Sequence, residues 1–170
     1  MASHSNALLI ERLFVAIDRH DGAAVAACYR DDSVVFHDIA FHIESKPRLA
    51  DMWRMVCEGE SGLKVSIKSI VADDHSGEAR IVDTYCFGKD TAKGRKGRPV
   101  VNEIRSLFQF RDGLIQEHID ECDQRAWGEQ AIGGTFGWLA GRVRFLRSFA
   151  ANRKLDRFLR KHPLPPAPAS

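Results

Sequence analysis

The middle of the chain contains four runs with the residue pattern of β-strands. The last two are joined by Arg111-Asp112-Gly113, and an Asp-Gly pair between two such runs is a strong signal for a hairpin. This region therefore predicts a meander of antiparallel strands that ends in a tight turn. The four predicted strands are Leu63–Ala72, Glu78–Phe87, Val100–Phe110 and Leu114–Cys122.

Helices are predicted mainly before this meander. Apolar residues recur near helical spacing from Leu9 to Ile17, and Asp21-Gly22 breaks that helix. Helices first and long strands later are typical of an α+β fold, with helices packed on one face of a curved sheet and a cavity between them. The other predicted elements, in order, are helices Ala7–Arg19 and Ala23–Tyr29, strand Ser33–His37, and helices Arg48–Cys57 and Asp123–Ile132.

The last predicted strand carries an unusual number of polar residues. Side chains alternate between faces along a strand, so Gln116, His118 and Asp120 share one side with Leu114 and Cys122. Such a face is either solvated or lines a polar pocket. The opposite face carries Ile115, Glu117, Ile119 and Glu121.

Two segments give the chain a family resemblance. LFVAIDRHDGAAVAACYRDDSVVFHD and FQFRDGLIQEHIDECDQRAWGEQAIG resemble sequences of the nuclear transport factor 2-like superfamily, over roughly residues 7–133. That superfamily includes ketosteroid isomerases, SnoaL-like polyketide cyclases and limonene epoxide hydrolases. The resemblance implies a cone of curved antiparallel sheet, a cystatin-like barrel, whose pocket is closed by N-terminal helices.

The resemblance also suggests site residues. Asp38 stands where ketosteroid isomerases place a general base, while Phe14 and Ser106 stand at the positions of their acidic oxyanion donors. Asp83 and Asp120 match the two aspartates of limonene epoxide hydrolases, but Ile81 stands in place of their arginine, two residues before Asp83.

The leading interpretation is a small-molecule isomerase, cyclase or hydrolase without a cofactor. Asp120 would act as general base or acid, with His118, Asp83 and Asp38 orienting water or substrate around it. Two carboxylates in one cavity would have separated pKa values, which suits one acid and one base. The side chains expected to line a pocket for a small apolar molecule are Phe14, Phe36, Trp53, Tyr85, Asn102, Ser106, Phe108 and Gln116.

Each of these residues also has a structural interpretation. Asp38 could be a turn aspartate, and Asp83 could hydrogen-bond to a neighbouring strand. His118 and Asp120 could lie on a solvated face. The whole domain could be a binding protein for an apolar ligand, or a dimeric protein-interaction module, since fold does not imply function.

Composition narrows the setting. With 170 residues, 44% hydrophobic and 28% charged, the chain is expected to form one soluble domain. It shows no signal-peptide pattern and no apolar run near the roughly 20 residues of a membrane span. The four cysteines lack zinc-ligand spacing. We therefore expect a cytoplasmic protein without a metal or cofactor.

The C-terminal part differs in charge. Residues 134–162 carry eight basic residues and one acid, net +7, so with +2 overall the first 133 residues carry −5. The segment Phe136–Lys161 is predicted as an amphipathic helix. One interpretation is a brace that packs over the pocket mouth or against a partner subunit, and the other is a helix that contacts a membrane surface. Nucleic acid is not expected.

The predicted division of the chain rests on the extent of the resemblance, on this difference in charge and on the Pro-rich end of the sequence. It comprises a domain of residues 1–133, a basic helical extension over 134–162 and a disordered tail over 163–170. A homodimer is expected through the outer sheet face, with Leu107, Ile115 and Ile119 as its apolar contacts.

Overall fold

The computed structural model describes residues 4–59, 62–88, 97–133 and 144–163. These residues form a mixed α+β fold, which confirms the predicted class. The start of the predicted C-terminal helix, residues 136–143, and the tail from residue 164 lie outside the described residues. The elements are α1 (Ser5–Asp18), α2 (Gly22–Ala27), β1 (Val35–His37), β2 (His42–Ile43), α3 (Lys46–Cys57), β3 (Lys64–Ala72), β4 (Ser76–Phe87), β5 (Arg98–Arg111), β6 (Leu114–Cys122), α4 (Gln124–Ala131) and α5 (Arg144–Lys161).

The described strands form one curved sheet in the order β2-β1-β6-β5-β4-β3. The four long strands make the predicted antiparallel meander, and Asp112 and Gly113 turn the last hairpin with φ of 53° and 73°. Strand β1 instead pairs in parallel with β6, placing Phe36 beside His118. The short β2, which the sequence pattern does not predict, covers the outer edge of β1.

A β-bulge changes which residues of β6 face inward. The register between β5 and β6 shifts at Gln109 and Phe110, so Phe110 pairs with Ile115 whereas Phe108 pairs with His118. Ile115 is consequently fully buried in the core. The prediction that Ile115 lies on the outer face is wrong, because strict alternation fails at a bulge.

The first three helices cover the concave face of the sheet. Leu13 and Phe14 of α1, Val25 of α2, and Leu49 and Met52 of α3 are all almost inaccessible to solvent. Burying a side chain of this size contributes about 1.5–3 kcal/mol to stability. This packing fixes the helices that border the concave face.

Helix α5 lies against α3. Leu155 is fully buried, Arg48 forms an ion pair with Asp156 at 2.8 Å, and the Arg54 guanidinium lies 5.2 Å from the centre of the Phe158 ring. Part of the apolar stripe of α5 is thus packed against the rest of the protein, whereas Phe149 of the same helix is 54% exposed. Among the described residues, none of the helices combines the length and apolar character needed to cross a membrane.

Candidate functional site

Four side chains form a hydrogen-bonded chain across the concave face. The Tyr29 hydroxyl, just after α2, lies 2.7 Å from Nδ1 of His118. Nε2 of His118 lies 2.8 Å from Oδ1 of Asp120, and the Ser106 hydroxyl donates to the same oxygen. Ser106 reaches it because β5 and β6 place these two residues opposite each other. The predicted His118 and Asp120 therefore lie together.

Aromatic side chains enclose His118. Its ring stacks on Phe108, with ring centres 4.5 Å apart, and meets Phe36 and Phe14 edge-on at 5.2 and 6.4 Å. His118 is completely buried, so the solvated-face interpretation is wrong for it. We call Phe14, Phe36, Phe108 and His118 the aromatic cluster. Its three phenylalanines were predicted to line a pocket, and in the structure they pack around the imidazole.

Asp120 lies where this cluster meets a set of acidic residues. Its side chain is 15% exposed, and its described hydrogen bonds all go to Oδ1. Among the described residues, none donates to Oδ2, which leaves that oxygen for a ligand or water. We call Asp38, Asp83 and Asp120 the carboxylate cluster, because the negative charge of Asp120 acts on both of the others.

Asp83 has the least compensated environment of the three. It projects inward from β4 opposite Asn102, and its Oδ1 is buried without a hydrogen-bond partner among the described residues. Burial, followed by the charge of Asp120, raises the pKa of Asp83 to about 7. Within the part of the chain that the structure describes, no group on a neighbouring strand donates a hydrogen bond to Oδ1, so the structural interpretation of Asp83 gains no support there.

Asp38 is held by its own loop. Its Oδ1 accepts hydrogen bonds from the backbone N–H groups of Ala40 and Phe41, at 2.6 and 2.5 Å. Burial nevertheless raises its pKa to about 6, against the lowering effect of these two bonds. Asp38 is therefore a turn aspartate, as its structural interpretation predicts, and it also belongs to the carboxylate cluster.

The remaining predicted residues divide between this region and others. Tyr85 shares the inward face of β4 with Asp83, and its hydroxyl accepts a hydrogen bond from the Trp127 indole at 2.7 Å. Trp53 packs edge-on against Phe36, with ring centres 5.6 Å apart. Asn102 is 9% exposed and faces inward.

Gln116 lies apart from the carboxylate cluster. It is half-buried at the β6 bulge, four residues before Asp120, which corresponds to about 13 Å along a strand. No hydrogen bond of the described residues joins Gln116 to the carboxylate cluster, and the bulge interrupts the polar face on which the sequence placed it.

Sequence reasoning missed three residues near the site. Tyr29 and Trp127 contact predicted site residues across long sequence separations, which no local pattern reveals. Arg147 of α5 is 7% exposed, and it donates from Nε to the Ile39 carbonyl at 3.0 Å and from Nη2 to Oε1 of Gln124 at 2.7 Å. The sequence signal that could have identified Arg147 is its position within the apolar stripe of an otherwise basic helix.

Two further features bear on ligands. No group of three or more His, Cys, Asp or Glu side chains within the described ranges is arranged to hold a metal ion. A surface pocket of about 720 Å³ lies between the start of β5 and α4, lined by residues that include Arg98 and Gln130. None of the predicted catalytic residues lines that pocket.

Solved structures with a similar fold come from several bacteria. An epoxide hydrolase of M. tuberculosis described as LEH-like has a TM-score of 0.61 and 23% identity, covering 84% of this chain and 95% of its own. TsrD from Streptomyces laurentii has a TM-score of 0.63 and 18% identity, covering 79% of this chain and 99% of its own. A protein of Jannaschia sp. CCS1 assigned as a SnoaL-like polyketide cyclase has a TM-score of 0.62 and 16% identity, covering 76% of this chain and 93% of its own.

At these identities the structural likeness establishes the fold. The comparison with curated proteins finds no match. The family model of the SnoaL-like domain matches residues 10–118, which is more than half of the chain and ends two residues before Asp120. The residues matched, the curved sheet and the helices on its concave face together show that the chain belongs to the SnoaL-like domain family, within the wider NTF2-like fold.

Proposed function

We propose that the protein is an enzyme that transfers protons to and from a small apolar molecule, with Asp120 as general base and Asp83 as general acid. The observation that carries this proposal is the buried Asp83 carboxyl, whose Oδ1 has no described partner and whose pKa is raised to about 7 near the charge of Asp120. A carboxyl group that gives up a proton and a neighbouring carboxylate that takes one up provide both halves of acid–base catalysis.

Hydrolysis of an epoxide uses both groups in the same step. Oδ2 of Asp120 takes a proton from water, the water oxygen bonds to a ring carbon, and the carbon–oxygen bond of the ring breaks. Asp83 gives its proton to the leaving oxygen, and the product is a diol. Transfer of a proton from Asp120 back to Asp83 restores the starting state. The epoxide hydrolase among the structural neighbours supports this choice.

Isomerisation or cyclisation is the second candidate. Either reaction needs a base that removes a proton from carbon and a donor that stabilises the developing oxyanion. Protonated Asp83 is a donor of this kind, whereas Phe14 cannot donate and Ser106 already donates to Asp120. The aromatic ring of Tyr85, on the inward face of β4 with Asp83, and that of Trp127, which donates to the Tyr85 hydroxyl, suit an apolar substrate in either case.

The experiment is a screen of epoxides, enones and polyketide methyl esters for turnover. The wild type should convert a member of one class, and D120N and D83N should not. The control is D74N. The Asp74 side chain is 86% exposed, and this residue lies in the turn between β3 and β4, nine residues before Asp83. Activity should fall above pH 7 as Asp83 ionises. Saturable ligand binding without turnover in any class would instead indicate a binding protein.

The compartment, the oligomeric state and the division of the chain remain predictions from the sequence. We propose a cytoplasmic homodimer formed through the outer sheet face, where Leu107 and Ile119 lie partly exposed. We also propose that residues 1–133 form the catalytic domain and that residues 134–162 brace it, with membrane contact as the alternative. Light scattering that shows a monomer at micromolar concentration would contradict the dimer.

A further inference from the structure

The contact between Tyr29 and His118 determines how protons are arranged next to Asp120. Tyr29 is 1% exposed and His118 is fully buried, so neither side chain exchanges its hydrogen bond for water. The hydroxyl lies 2.7 Å from Nδ1, and Nε2 lies 2.8 Å from the Asp120 carboxylate. Both ring nitrogens are therefore engaged within the protein.

The two partners of the ring act on its tautomer in the same direction. A neutral imidazole has one N–H donor and one acceptor nitrogen. A carboxylate can only accept, so Nε2 must carry the proton when Asp120 is ionised. Nδ1 is then the acceptor, and the Tyr29 O–H is its donor.

The surroundings of Tyr29 support this direction. Burial raises the pKa of Tyr29 well above its usual value, and the Asp120 charge adds to that effect, so the hydroxyl keeps its proton. Among the described residues, the hydrogen-bond partner of this hydroxyl is Nδ1 of His118. A Tyr29 O–H that did not donate to Nδ1 would therefore be buried without an acceptor, which favours donation from Tyr29 to His118.

We propose that Tyr29 is a positioning residue that holds His118 as the Nε2–H tautomer when Asp120 takes up a proton. Without the Tyr29 donor, protonated Asp120 could place its proton on Oδ1 and donate it to an unprotonated Nε2, while Nδ1 took the ring proton. With Tyr29 present, Nε2–H stays directed at Oδ1, and the new proton is confined to Oδ2. This inference rests on the proposed role of Asp120 as the base, and its first test needs no substrate.

An asparagine at position 120 imitates the protonated carboxyl, because its amide can accept from Nε2–H or donate to Nε2. The test is a long-range ¹H–¹⁵N spectrum of His118 at neutral pH in D120N, Y29F/D120N and Y85F/D120N. Tyr85 is the matched control, since it is also a largely buried tyrosine whose hydroxyl bonds to Trp127 rather than to His118.

D120N and Y85F/D120N should each show a single neutral tautomer protonated at Nε2. Y29F/D120N should show a mixture that includes protonated Nδ1. The proposal is wrong if D120N already contains the Nδ1–H form, or if Y29F/D120N keeps the Nε2–H form alone. If the double variant does not fold, the spectra of the wild type and D120N still decide, because Nδ1–H in either one overturns the assignment.

Turnover provides a second, separate readout. For a substrate found by the screen, Y29F should lower kcat by roughly tenfold to a hundredfold with KM unchanged, as misplacement of a catalytic group does. D74N, at a side chain that is 86% exposed, should leave kcat and KM unchanged. The Nε2–H tautomer without any turnover would leave the Tyr29 assignment intact and count against the proposed function alone.

Discussion

The aromatic cluster and the carboxylate cluster meet at Asp120, yet they treat buried polar atoms in opposite ways. Within the aromatic cluster, both nitrogens of His118 have partners at normal hydrogen-bond distance. In the carboxylate cluster, Oδ1 of Asp83 is buried with no described partner. Leaving a buried polar group unpaired costs about 1–3 kcal/mol, so proteins rarely do it without a functional reason. Trp53 Nε1 and Arg54 Nε are also buried without a described partner. Of these three atoms, the Asp83 oxygen is the one in the carboxylate cluster, where we infer that the fold gives up stability for chemistry.

Replacing the base should have the largest effect. D120N keeps the size of the side chain and an oxygen that can accept from Ser106 and His118, but it loses the ability to take up a proton. Activity should fall at least about a thousandfold, equivalent to about 4 kcal/mol in the barrier. Steady-state rates on the substrate found by screening measure this loss. A residual rate above about a tenth of the wild-type rate would show that Asp120 is not the base.

Truncation in the aromatic cluster should affect folding. Phe108 is 2% exposed and stacks on His118, so F108A should lower the free energy of unfolding by about 3–5 kcal/mol. F149A is the control, because Phe149 on α5 is 54% exposed and should cost less than about 1 kcal/mol. Urea denaturation of the two variants provides the comparison, and equal losses would refute the structural role of the cluster.

The packing of α5 on α3 can be tested at Leu155. This side chain is fully buried, so L155A should lower the free energy of unfolding by about 2–5 kcal/mol if α5 braces the domain. Binding to anionic liposomes, measured by co-sedimentation, should be the same for the wild type and L155A. If L155A keeps the melting temperature of the wild type but binds liposomes less well, the membrane interpretation is favoured.

Neutralising Asp83 should stabilise the protein. Its pKa is about 7 in the folded protein against an ordinary value of 3.8, so the folded state holds this proton more tightly than the unfolded state does. The stability that the proton provides is complete below pH 4 and is lost as the pH rises through 7. D83N should therefore gain stability relative to the wild type across this range, by about 2–4 kcal/mol at pH 8. Melting curves at several pH values measure the gain, and D74N should not reproduce it.

Part of this arrangement could be predicted from local sequence patterns. The Asp112-Gly113 hairpin aligned β5 with β6, and alternation along β6 placed His118 and Asp120 on the same face. Alternation could not place Ile115, because the bulge depends on how two strands pair rather than on either strand alone. The parallel pairing of β1 and the hydrogen bond from Tyr29 to His118, 89 residues apart, arise from tertiary packing.

The most direct test of the acid–base pair is the titration of the Asp83 carboxyl by ¹³C NMR, with D83N used to assign its resonance. The structure predicts a pKa of about 7, and a lower value in D120N because one of the two causes of the rise is then removed. A pKa near 3.8 in the folded wild-type protein would contradict the account, since Asp83 would then be ionised at neutral pH and unable to act as the acid.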